Sequence, residues 1–133
     1  VKLTKKSEYA LLALIDLAEQ WQTGLVKIEE TAQRKNIPKK YLEQILLMLK
    51  TSGYVKSIRG ANGGYQLYKP PEQIFLAEII RLSDGPLAPV ESVSQYFYGH
   101  SPIEQVPKLL AVFRDIRDYT AQKLENISLA DLI

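Results

Sequence analysis

The sequence predicts a mainly α chain with a small β-hairpin: a winged helix-turn-helix domain followed by a long C-terminal dimerisation helix. Three observations carry this expectation. The helix-like run Tyr41-Leu42-Glu43-Gln44-Ile45-Leu46 follows another short helical segment across the turn Asn36-Ile37-Pro38. Two stretches of strand-like alternation then flank the glycine-rich tip Arg59-Gly60-Ala61-Asn62-Gly63-Gly64. Near the end, Leu109, Phe113, Ile116, Thr120, Leu124 and Ile127 recur at intervals of three and four, the period of one helix face.

Taken in order, Thr4 is placed to cap a first helix from about Lys5 to Trp21. Its apolar side holds Ala10, Leu11, Leu14, Leu17, Ala18 and Trp21, with Glu8, Asp16 and Glu19 opposite. Gly24 ends it, and Leu25 to Ile28 reads as a short strand closing the wing. Glu29 to Lys35 is a short second helix with Ala32 facing inward. Pro38 starts a third helix, Lys39 to Ser52, which Gly53 stops. Tyr41, Leu42, Ile45, Leu46, Met48 and Leu49 share its apolar arc. Strands follow over Tyr54 to Arg59 and Tyr65 to Tyr68, with a turn at Asn62, Gly63 and Gly64 that uses positive φ.

Lys69-Pro70-Pro71 marks the expected boundary between a winged helix-turn-helix domain over 1–69 and a region of linker helix, loop and dimerisation helix over 70–133. The linker helix runs from about Leu76 to Ser83, and 86–102 reads as a loop. A final helix of about 20 residues reaches about 30 Å, wider than a compact three-helix core. Its stripe either folds back on the first helix or forms a seam with a second copy. The seam is the favoured reading, with Leu109, Phe113, Ile116, Leu124 and Ile127 as its residues.

Bulk properties narrow the function. The 133 residues suit one ordinary domain, and no apolar run approaches the ~20 residues of a membrane span. The start shows no signal-peptide pattern, so a cytoplasmic protein without membrane contact is expected. With no cysteine and one histidine, disulfides and thiolate chemistry are excluded, and no metal site is expected. No catalytic constellation is visible, so an enzyme is not expected. Residues 1–69 hold 12 Lys/Arg against 6 Asp/Glu, while 70–133 hold 5 against 9. That split suits a nucleic-acid face in the front half, with chance clustering as the alternative.

The third helix would enter the major groove with its N-terminal residues nearest the bases. Those are Lys39, Lys40, Glu43 and Gln44. Glutamate can accept from the cytosine amino group and glutamine can pair with adenine, while lysines suit phosphates. A plain solvated helix face is the alternative for the acid and the amide. Leu47, on the polar side of the wheel, either touches a thymine methyl or packs on the preceding helix; packing is the expectation. Arg59, beside the tip residues Asn62, Gly63 and Gly64, would enter a narrow minor groove.

At these residues the chain resembles the bacterial winged-helix regulators typified by the iron–sulfur regulator IscR and the cysteine-metabolism regulator CymR. The likeness rests on Lys2-Leu3-Thr4, Tyr9-Ala10, Asp16-Leu17-Ala18, Tyr41-Leu42-Glu43-Gln44, Ser57-Ile58-Arg59-Gly60, Gly63-Gly64-Tyr65, Glu78-Ile79-Ile80, Gly85 to Glu91 and Asn126 to Leu132. It implies a homodimeric transcription factor, usually a repressor, on a pseudo-palindromic operator in double-stranded DNA. It also implies base readers at Lys40, Glu43, Gln44 and Arg59, with lysine at 40 where IscR has serine. Cluster-bearing members hold iron–sulfur through three cysteines before the long helix. This chain has none, and Gly85 to Glu91 looks like the cluster-free CymR type, so no cofactor is expected. Glu8 and His100 read as surface residues. Tyr96, Phe97, Tyr98 and His100 stand in the loop as a possible effector site for a small molecule or protein partner, or as packing against the dimer interface. A winged-helix module that binds a protein instead of DNA is the alternative function.

Overall fold

Residues 2–96 and 98–133 are described by a computed structural model, so Phe97 of the expected effector loop lies outside the described residues. Helix α1 spans Lys5–Glu19, α2 Ile28–Lys35 and α3 Lys39–Thr51. Strands β1, Val55–Ile58, and β2, Gly64–Leu67, form an antiparallel hairpin, followed by α4, Leu76–Asp84, and α5, Pro107–Glu125.

Each boundary has a local cause. The Thr4 hydroxyl accepts from the Ser7 N–H at 3.2 Å and caps α1. Asn36 ends α2 in the left-handed region, and Gly53 at φ +85° turns the chain after α3. The expected third strand is a single bridge: Val26 and Tyr65 exchange backbone hydrogen bonds of 2.8 and 2.7 Å.

The core gathers Ala10, Ala13, Leu14 and Leu17 of α1 with Leu42, Ile45, Leu46 and Leu49 of α3. Val55 and Leu67, paired across the hairpin, close it from the wing side; Ile74, Ile79 and Leu129 close it from the other. The chain end is stitched in by backbone hydrogen bonds of 2.9 Å, from Leu76 to Ile127 and from Leu129 to Ile74. A second cluster, Ala77, Ile80, Leu87 and Ala121 with Leu11 and Leu124 at its edge, seats the C-terminal part of α5 on α4.

Asp16 corrects the helical wheel. It is buried instead of solvated, because α2 supplies its partners. Arg34 donates to both carboxylate oxygens, at 2.8 and 3.1 Å, and Thr31 donates at 2.7 Å. Burial raises the Asp16 pKa, but these donors outweigh it and hold the carboxyl below its ordinary value. The side chain of α2 that turns fully inward is accordingly Thr31, with Ala32 half-buried beside it.

Candidate nucleic-acid interface

The outward arc of α3 carries Lys40, Glu43, Gln44, Leu47 and Lys50, all exposed because the opposite arc fills the core. Beside it stands the wing. Between α3, the start of α2 and the hairpin lies a cleft of about 540 Å³. Glu43, Leu47 and Lys50 line its helix side; Ser57, Ile58, Arg59, Gly63 and Gly64 line its wing side. Lys27 lines it as well.

The wing tip is built differently from expectation. The turn is Gly60-Ala61-Asn62-Gly63, closed by a 3.0 Å hydrogen bond from the Gly63 N–H to the Gly60 carbonyl. Positive φ falls at Gly60 and Gly64, not at Asn62 or Gly63. Gly63 is required for another reason: a Cβ there would stand 2.0 Å from the Ile58 carbonyl oxygen. At Gly64 it would meet the Val26 carbonyl oxygen at 2.6 Å, so the bridge to the α1–α2 connection also needs glycine.

Lys27 secures this tip. It occupies the N-cap of α2, where its backbone N–H donates to Glu30 at 2.9 Å. Its ammonium reaches across to donate to the carbonyls of Ala61, at 2.7 Å, and Gly63, at 3.2 Å. Thus one side chain ties the start of α2 to the wing.

Of the residues singled out in the sequence, Glu43, Arg59, Gly63 and Gly64 meet in the cleft. Asn62 is exposed at the tip, and Lys40 and Gln44 lie on the helix outside the cleft lining. Arg59 makes no ion pair among the described residues. Lys39 differs: Glu29 of α2 holds its ammonium at 3.0 Å, which raises the lysine pKa. Glu29 is lowered in turn, by its own backbone N–H and then by Lys39. Leu47 does not pack on α2; it is 64% exposed and lines the open cleft toward the wing. Lys27 and Lys50 join the cleft without having been singled out as site residues, as do Leu47, for which packing was expected, and Ile58, noted only within the Ser57-Ile58-Arg59-Gly60 motif. Of the two lysines, Lys27 left a trace, standing where a helix start ordinarily has Ser, Thr, Asp or Asn.

The far end of the molecule presents a different surface. Leu109, Val112, Ile116 and Tyr119 are exposed along α5 at spacings of three and four. Phe113 is half-buried. Leu124 packs into the α4 cluster of its own chain, and Ile127 lies past the end of the helix, where its carbonyl pairs with Leu76. Arg81 of α4 stacks over the Tyr96 ring of the loop at 4.7 Å. Tyr98 donates to Glu104 at 2.5 Å, and His100 Nδ1 lies 3.1 Å from the other Glu104 oxygen. The Tyr98 hydroxyl holds Glu104 below its ordinary pKa and is itself raised.

Residues 3–133 match the family Rrf2, described as "Iron-dependent Transcriptional regulator". The chain belongs to the Rrf2 family. It is 35% identical over 132 residues to the HTH-type transcriptional regulator CymR of Bacillus subtilis, covering 99% of this chain and 89% of that one. With IscR of Cronobacter sakazakii it shares 35% identity over 136 residues, covering 100% and 80%. The solved structure of CymR, the global cysteine regulator of B. subtilis, superposes with a TM-score of 0.80 at 34% identity, covering 99% of this chain and 95% of that chain. That of T. potens IscR superposes at 0.71 with 31% identity, covering 99% and 85%. The Rrf2 chain described here is therefore a winged-helix, DNA-binding transcriptional regulator and not an enzyme. Among its described residues no helix is long and apolar enough to cross a membrane. Its residues do not fit an iron–sulfur cluster. The sequence has no cysteine, and no group of three or more His, Asp or Glu among the described residues could hold a metal ion.

Proposed function

We propose that this regulator binds a pseudo-palindromic operator as a homodimer, acts as a repressor, and works without an iron–sulfur cluster. The observation that carries the reading is the cleft joining the exposed arc of α3 to a wing whose Arg59 has no internal ion-pair partner among the described residues. In this reading residues 1–69 contact DNA. Glu43 and Gln44 address base edges, Lys39 and Lys40 address phosphates, and Arg59 with Asn62, Gly63 and Gly64 enters the minor groove. The Glu29 pair leaves Lys39 usable, since an exposed ion pair opens readily to a phosphate.

Residues 70–133 join the two copies. The seam is the exposed stripe Leu109, Val112, Ile116 and Tyr119, an a/d pattern that a second α5 covers. Phe113 flanks it. Such a dimer sets two recognition helices about one DNA turn apart, which is why the operator repeats as an inverted pair. Its setting in the cell is the cytoplasm, where the operator is. The effector enters at the loop of Tyr96, Phe97, Tyr98 and His100, as a small molecule or a partner protein.

The test is selection of bound fragments from genomic DNA, followed by affinity against salt. A regulator of this kind selects one sequence strongly, and its affinity falls steeply with salt. No selected sequence and a flat salt response would support the alternative module that binds a protein.

A further inference from the structure

Leu47 is the one apolar side chain on the outward arc of α3, among Lys40, Glu43, Gln44 and Lys50. It is 64% exposed, and Ile58 of the wing, 55% exposed, lines the same cleft. Nothing in the fold requires either to be apolar, since both leave the core to their neighbours. We infer that Leu47, backed by Ile58, reads the C5-methyl group of a thymine, and so is a specificity-determining residue of the operator complex. The inference rests on the reading that α3 faces the major groove.

Chemistry narrows the occupant. In the major groove the thymine methyl is the apolar feature that separates a T·A pair from the rest, and small apolar side chains contact it. Leu47 follows Glu43 by four residues on the same helix face, just over one turn and about 6 Å along the axis. Base pairs rise by about 3.4 Å. The thymine therefore lies one or two pairs from the pair that Glu43 addresses. Lys50 and Arg59 line the same cleft and draw the phosphate backbones to its edges, so the apolar wall between them is shielded from water once DNA is bound. Glu43, in that lining too, argues that this wall faces bases, because a carboxylate against a phosphate would repel it.

Replacing thymine by uracil removes the methyl and nothing else. With the operator taken from the genomic selection, each thymine of one half-site is exchanged in turn and the dissociation constant is measured at fixed salt. One position should cost the wild-type protein about fourfold, the value of one buried methyl. Leu47→Ala should bind the thymine operator about fourfold more weakly and ignore uracil at that position, while Leu47→Met should keep the discrimination. If no uracil exchange distinguishes wild type from Leu47→Ala, the inference is overturned. The same holds if Leu47→Ala weakens every duplex equally, which would mark a contact to sugar and phosphate. A protein that selects no operator at all would instead overturn the assignment of α3 to the major groove, and this inference with it.

Discussion

Replacing Arg34 by methionine should destabilise the fold by about 3 kcal/mol, because it strands a buried carboxylate. The Asp16 side chain is 2% exposed and the Arg34 side chain 39% exposed. Breaking a buried pair by removing one member typically costs about 3–5 kcal/mol. The half-open arginine and the surviving Thr31 hydrogen bond put this site at the low end. For a chain of 133 residues the unfolding entropy is about 0.28 kcal/mol/K, so the midpoint should fall by roughly 10 °C. The pH dependence sharpens the test. In the wild type the Asp16 pKa is depressed in the folded state. Its contribution is therefore complete above the ordinary carboxylate value and is lost as pH falls through the folded one. Without Arg34, burial is opposed only by the Thr31 hydrogen bond and the Lys35 charge, and the folded pKa should rise toward or above the ordinary value. The penalty is then full at neutral pH and shrinks as pH falls toward about 4. Urea titrations of both proteins between pH 7 and pH 4 should show the gap narrowing. Asp16→Leu combined with Arg34→Met should recover much of the loss, since it leaves no charge behind. A gap under about 1 kcal/mol, or one constant with pH, would refute the argument.

Other perturbations address the DNA face and the seam. Val112→Asp with Ile116→Asp should yield monomers by light scattering and abolish operator binding; a wild-type protein that is already monomeric at micromolar concentration would sink the dimer reading. Arg59→Ala should weaken operator binding by about 1–3 kcal/mol, and unchanged affinity with an unchanged salt slope would remove the wing from the interface. Gly63→Ala should cut operator affinity at least tenfold while the thermal midpoint of the rest of the fold persists, because the new Cβ must push aside the Ile58 carbonyl. Protein purified without oxygen should be colourless with operator affinity indifferent to iron; a brown preparation whose affinity changes on iron removal would contradict the cluster-free reading.

Local signals made the fold readable, and tertiary ones limited the site. Thr4, Pro38 and Gly53 act on neighbours a few residues away, so the helix boundaries they set agree with the structure to within a residue or two. Asp16 escaped because its partners sit on another helix, and a wheel drawn for α1 alone cannot contain Arg34. Ile127 was counted into the last helix because periodicity continues past Glu125, although the backbone leaves to pair with α4. A continuous stripe also does not reveal that α4 covers its C-terminal part, or that Val112 and Tyr119 stand exposed beside Leu109 and Ile116. Glu43 and Arg59 were legible from residue chemistry. Leu47 was misjudged because the cleft it lines forms only where the hairpin stands beside α3.

The Lys27 contact has a mechanical consequence. The ammonium on the Ala61 and Gly63 carbonyls and the Val26–Tyr65 bridge fasten the finger at two points to the segment that begins α2. Because α2 in turn packs on α3, these ties set the distance between the recognition helix and the finger, as the jaws of a calliper are set. Such a tool measures the spacing between adjacent grooves, and a duplex that must be bent or squeezed to fit binds more weakly even where every contacted base is correct.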